Sequence, residues 1–136
     1  FQGTLDRLAK FNLPIKITEC LFTADKEEDI AEHLLEYFPI CFAHPNVEAI
    51  IMWGFWEGDH WQPHTAMWKK DWSPTPQALA YRDLVFSRWW TQISGKADAN
   101  GEYKAKAFYG DYIITSNEQT KKVTLSKKDK SVQLVY

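Results

Sequence analysis

The sequence predicts an α/β fold with a parallel sheet, followed by a small antiparallel β appendage. Three observations predict it. Apolar residues recur at helical spacing in three stretches, and two strand-length apolar runs lie between those stretches. Beyond Ile93 the helical period gives way to short, partly alternating segments.

The first helix is expected over Thr4–Phe11, where Leu5, Leu8 and Phe11 fall on one face and Asn12 follows as a stop. Leu13 to Glu19 then reads as a strand, with β-branched Ile15, Ile17 and Thr18 and with Pro14 confined to its start. Asp25 followed by Glu28 has the spacing of a capping box. The helix it opens carries Ile30, Leu34, Phe38 and Cys41 or Phe42 on its apolar face, and Pro39 should kink it. His44-Pro45-Asn46 ends that helix, and Val47 to Trp53 is a continuous apolar run that suits a strand covered on both faces.

After a long loop, Gly54 to Ser73, the Thr75-Pro76 pair opens a third helix through Ala78, Tyr81, Leu84, Val85 and Trp89. Helix, strand, helix, strand, helix signals βα units with right-handed crossovers, although two strands cannot close such a sheet. Ser94-Gly95 and Asn100-Gly101 bracket a polar linker. Tyr103–Tyr109, Tyr112–Ser116, Val123–Leu125 and Val132–Val135 are then expected as antiparallel strands. The expected organisation is a first domain over residues 1–92 and a β-rich extension over 93–136.

Composition narrows the function classes. With 136 residues, 45% of them hydrophobic, the chain has material for a core and is not a disordered segment. A net charge of −2 argues against a general nucleic-acid surface, and no apolar run approaches the roughly 18 residues that span a bilayer. Cys20 and Cys41 form no disulfide framework and are read as two thiols. The chain opens at Phe1 without a signal-peptide pattern, so it is expected to be the interior or end of something longer.

All seven tryptophans lie between Trp53 and Trp90. Indoles serve either as buried bulk or as flat platforms for ligands such as sugar rings. Two residues end the expected parallel strands, Glu19 and Trp53, and strand ends are where βα folds place reactive groups. From Trp53 the chain runs through Phe55, Trp56, Glu57, Asp59 and His60 to Trp61, so indole planes sit beside acids and an imidazole, a combination suited to a polysaccharide. Trp68, Trp72, Trp89 and Trp90 are expected to serve packing instead.

His60 and His64 are read as loop residues that contact sugar or water and not as a metal pair, because Pro63 separates them and breaks helical spacing. Glu57 and Asp59 lack a strand end to position them as catalytic carboxylates. Lys121, Lys122, Lys127, Lys128 and Lys130, interleaved with Ser and Thr, read as a solvated edge that resists strand pairing.

Four features together resemble the C-terminal part of glycoside hydrolase family 10: the segment Leu13 to Glu19, a helix ending Ala43-His44-Pro45, a strand ending Trp53-Gly54 with Trp61 eight positions on, and a Pro-led helix containing Ala80-Tyr81. That family consists of endo-β-1,4-xylanases on a (β/α)8 TIM barrel, and the resemblance covers roughly residues 1–92. It implies that this chain holds the last βα units of an incomplete barrel. It implies that Glu19 is the catalytic nucleophile of a retaining hydrolysis and that Trp53 and Trp61 wall the sugar subsites; His60, in the same loop, is read as a further substrate contact. The acid/base carboxylate would lie outside this chain. The family usually follows its nucleophile with a hydrophobic residue and an aspartate; here Cys20, Leu21 and Phe22 follow.

Neither cofactor nor metal is expected. The implied partners are a xylan-like polysaccharide and the rest of the barrel, supplied by a preceding part or by self-association, and a secreted or periplasmic location is expected. A non-catalytic carbohydrate-binding or interaction module, with Glu19 structural, is the alternative.

Overall fold

The computed structural model describes residues 1–129 and 131–135. It divides into two units, Phe1–Phe86 and Ser87–Tyr136.

In the first unit the order is α1 (Gln2–Ala9), β1 (Ile15–Cys20), α2 (Glu27–Ala43), β2 (Val47–Met52) and α3 (Pro76–Asp83). Strands β1 and β2 pair in parallel, as the alternation of elements requires. Helix α1 runs two residues earlier at each end than the expected Thr4–Phe11, closing at Lys10; Asn12 ends the turn that follows, with a left-handed φ of 54° and its N–H donating to the Ala9 carbonyl at 2.9 Å. Strand β1 begins at Ile15 and not at Leu13, because Pro14 offers no N–H to a ladder.

Helix α2 starts at Lys26 as N-cap with no side-chain cap bond, so the expected Asp25–Glu28 capping box is not formed. Glu27, Glu28 and Asp29 fill its first turn instead, where the helix dipole favours acids. The helix runs on through Pro39, and its buried face of Ile30, Leu34, Phe38 and Cys41 follows the sequence period, with Cys41 and not Phe42 turned inward. Thr75 caps α3, its Oγ1 accepting from the Ala78 N–H at 3.4 Å. A π-helical turn, Leu84–Arg88, follows; its wider winding breaks the face expected to run on to Val85 and Trp89, and of its five residues Leu84 is buried.

The core forms where α2 and α3 meet, with Leu5, Ile30, Leu34, Phe38, Ala78 and Leu84 all buried. Phe38 meets Tyr81 edge-on, ring centroids 6.0 Å apart at 88°. In β1, Ile15 and Ile17 are half-buried while Lys16 and Thr18 alternate into solvent. Strand β2 departs from expectation here: Ile51 is 51% exposed, so this run is not covered on both faces by the described residues.

Among its described residues the second unit contains one antiparallel hairpin, β3 (Gly110–Ser116) and β4 (Gln119–Leu125), in register from Gly110↔Leu125 to Ser116↔Gln119. Asn117 and Glu118 take φ of 48° and 64°, the two left-handed positions of a type I′ turn, whose twist matches that of the strands. Two of the four expected strands are corrected. Tyr103–Tyr109 and Val132–Val135 form none, since neither finds a ladder partner among the described residues. Of the lysine stretch, Lys121 and Lys122 lie in β4, Lys127 and Lys128 follow it, and Lys130 lies outside the described residues.

Candidate functional site

Glu19 sits at the carboxyl end of β1, beside the end of β2 that leads into Trp53, and the Trp53 N–H donates to the Cys20 carbonyl at 2.9 Å. The register explains how the side chain is aimed. Ile17 pairs with Ile50 and Cys20 with Met52, so β1 carries one more residue than β2 over that interval, which is a bulge. Glu19 occupies it with φ of 53°, a left-handed conformation that is uncommon for a non-glycine residue and marks a locally strained site. Its side chain is exposed, and among the described residues no hydrogen bond or ion pair engages the carboxylate. Glu19 borders a cavity of about 410 Å³ shared with Ile17, Cys20, Phe22, Tyr37 and Cys41. Burial, and then the neighbouring Cys41, pushes the Cys20 thiol up to about 11.

The indole loop forms a second cavity, of about 310 Å³, lined by Trp53, Gly54, Phe55, Asp59, His60 and Trp61. His60 is held from both sides. Its Nδ1 accepts from the Gln62 N–H at 3.4 Å, so the proton belongs on Nε2, which lies 3.1 Å from Thr65 Oγ1; that hydroxyl donates in turn to the Gln62 carbonyl at 2.9 Å. Gly54 makes room for the ring: its φ is 78°, and a Cβ there would come within 1.8 Å of His60 Nε2. Trp61 is 71% exposed. Four of the residues singled out from sequence, Trp53, Asp59, His60 and Trp61, therefore converge. Glu19 borders the other cavity.

The rest of the loop is pinned by its backbone. The Trp68 N–H donates to the Phe55 carbonyl at 3.0 Å, the Glu57 N–H to the Trp68 carbonyl at 2.8 Å, and Glu57 Oε2 accepts from the Lys70 N–H at 2.9 Å. Glu57 is thus a loop tie. Trp72 and Trp90, expected as packing residues, are instead 58% and 63% exposed. Trp72 stands in a tight turn and Trp90 beyond the last helical turn, where helical periodicity no longer dictates which side is inward. Spacing alone also passes over Phe55 and Gly54 as cavity residues; the signal for Gly54 was a glycine directly after a strand-ending residue, where a close approach is common.

Adjacent parallel strands joined through a helix, with a carboxylate and an indole at neighbouring carboxyl ends, define a βα protein. The family model described as Glycosyl hydrolase family 10 matches residues 1–85, and the chain belongs to that family. It is similar to an anti-sigma-I factor, RsgI6, of Acetivibrio thermocellus, 37% identical over 84% of this chain and 15% of that protein. It is also similar to endo-1,4-beta-xylanase 2 of Arabidopsis thaliana, 26% identical over 83% of this chain and 10% of that protein. Among solved structures, xylanase 10B from Thermotoga petrophila, crystallised with xylobiose, matches with a TM-score of 0.52 and 26% identity, over 65% of this chain and 31% of that one. The chain therefore spans a small part of these relatives: 15% and 10% of the two proteins and 31% of the xylanase structure.

Proposed function

We propose that this chain is the C-terminal part of a family 10 barrel that hydrolyses a xylan-like β-1,4-linked polysaccharide with retention of configuration, at a secreted or periplasmic location. The observation that carries it is Glu19 on its bulge, at the strand end beside Trp53, within the stretch that matches the family. In this reading the Glu19 carboxylate attacks the anomeric carbon. A second carboxylate, about 5 to 5.5 Å away and contributed by a preceding βα unit, protonates the leaving oxygen and later activates water. Trp53 and Trp61 stack on the sugar rings, and His60, locked by Gln62 and Thr65, fixes the wall between them. The exposed Lys16, Thr18 and Ile51 belong to a sheet face that the preceding units cover, with residues 1–92 as the barrel part and 93–136 as its extension.

The test is made in the full-length polypeptide. Glu19→Gln should lower xylan hydrolysis by more than about 10³-fold without moving the thermal midpoint, and early products read by NMR should keep the β configuration. An unchanged rate in Glu19→Gln, or α products, overturns the assignment. The isolated 136-residue chain should not turn over xylan, since it lacks the acid that contributes about 10² to 10⁴-fold.

A second reading is favoured by one observation: the relative at 37% identity is named an anti-sigma factor, whereas the xylanase relatives are 26 to 27% identical. In it the family 10 unit is a non-catalytic module that binds glycan within a regulatory protein. Xylan binding by the full-length polypeptide, with no hydrolysis in either parent or Glu19→Gln, would establish it.

A further inference from the structure

The geometry points to an additional carbohydrate platform on Trp72, outside the Trp53–His60–Trp61 cavity; this rests on the reading that the indole loop takes a polysaccharide. Trp72 is 58% exposed and holds φ of 66°, a backbone conformation unfavourable for a bulky residue. The turn that imposes this conformation is tied at several points. The Trp72 N–H donates to the Lys69 carbonyl and the Lys69 N–H to the Ser73 carbonyl, each at 2.9 Å. Asp71 Oδ1 accepts from the Ser73 N–H at 2.9 Å and from its hydroxyl at 2.6 Å. These two bonds hold the Asp71 carboxyl below its ordinary value, the hydroxyl contributing most.

Beneath the indole lies a pedestal. Trp72 stacks on Trp56 with ring centroids 5.5 Å apart and planes 12° from parallel. Trp56 lies in turn against Gly58, where a Cβ would come within 2.1 Å of its ring, so a glycine is required for the stack to form. The Trp56 indole N–H donates to the Lys70 carbonyl at 3.4 Å, which ties the pedestal to the same turn. The stack occupies one face of the indole, and the ring remains more than half exposed. A flat, immobilised, exposed ring suits the C–H face of a pyranose, since its own ordering cost is met before the ligand arrives.

Phe55 says which ligand. It lines the cavity with Trp53 and Trp61, and its ring lies 6.3 Å from that of Trp72, so Phe55 links the cavity to the platform. The occupant is therefore a further stretch of the same β-1,4-linked pyranose chain, beyond the sugars seated in the cavity.

The experiment compares polymeric xylan with xylobiose as probes, using titration calorimetry and affinity electrophoresis on the full-length polypeptide. Trp72→Asn is the informative variant, because asparagine tolerates the left-handed backbone. It should bind polymeric xylan about tenfold more weakly and xylobiose unchanged, with a thermal midpoint equal to or above the parent's. Trp72→Tyr should retain most of the polymer affinity. Equal loss for both probes, or polymer binding like the parent's, overturns the platform while the cavity reading stands. A parent that binds neither probe overturns both.

Discussion

The units Phe1–Phe86 and Ser87–Tyr136 are held together by different physics. In the first, every buried hydrophobic residue comes from helices α1 to α3, the Leu84 turn and the loop residues Ala66 and Met67. In the second, no described residue is buried, and what orders it is a ladder of backbone hydrogen bonds with cross-strand side-chain pairs such as Thr115–Thr120 at 3.0 Å and Asp111–Thr124 at 2.6 Å. Helical apolar stripes therefore gave a packed core in one place, and β-branched tracts gave a solvated hairpin in the other. The difference lies in opposing surface: α2 finds α3 and the sheet to pack against, whereas a lone hairpin is marginal in water.

The sharpest way to test this contrast is Leu34→Ala. Leu34 has 0% exposure in the middle of α2, and its truncation should destabilise the first unit by about 2 to 5 kcal/mol in urea denaturation. Amide exchange in β3 and β4 should be unaffected; loss of their protection in parallel would show that the hairpin draws on the helical core. A smaller effect is expected from alkali. The raised Cys20 thiol, pushed from 9.0 to about 11, keeps its proton in the folded state while the unfolded chain has already lost its own. Stability should accordingly fall as pH rises from 9.0 to about 11, and Cys20→Ala should flatten that decline in pH-dependent melts. Smallest of all, Thr115→Ala should weaken the hairpin by about 0.2 to 1 kcal/mol, seen as faster exchange at the Ile114 and Lys121 amides with no change in the melting of the first unit. A shift there would mean that the hairpin contributes to the core after all.

Much of the first unit could be read from local chemistry. Periodicity at Ile30, Leu34, Phe38 and Cys41 marked the inner face of α2, Thr75-Pro76 marked the start of α3, and Asn12 marked the end of α1, because each depends on residues within a turn or two. The convergence of Trp53, Asp59, His60 and Trp61 was likewise visible as one short stretch. The capping box failed because Asp25 fits the pattern but lies one residue before the position where the chain enters the helix, at Lys26. The strands expected at Tyr103–Tyr109 and Val132–Val135 failed because alternation alone gives no strand without a partner edge, which β3 and β4 supply to each other through their two-residue turn.

By itself the sequence determined the order of helices and strands in the first unit, the family to which residues 1–85 belong, and the strand-end position of Glu19. Only the tertiary structure decided that Glu19 sits on a bulge with a left-handed backbone, that Gly54 yields its side-chain space to His60, and that Trp72 stands outward on Trp56. Helical periods and caps are written in neighbouring residues. Ladder register, the space beside a glycine and the face on which an indole rests are set by segments that meet only when the chain has folded.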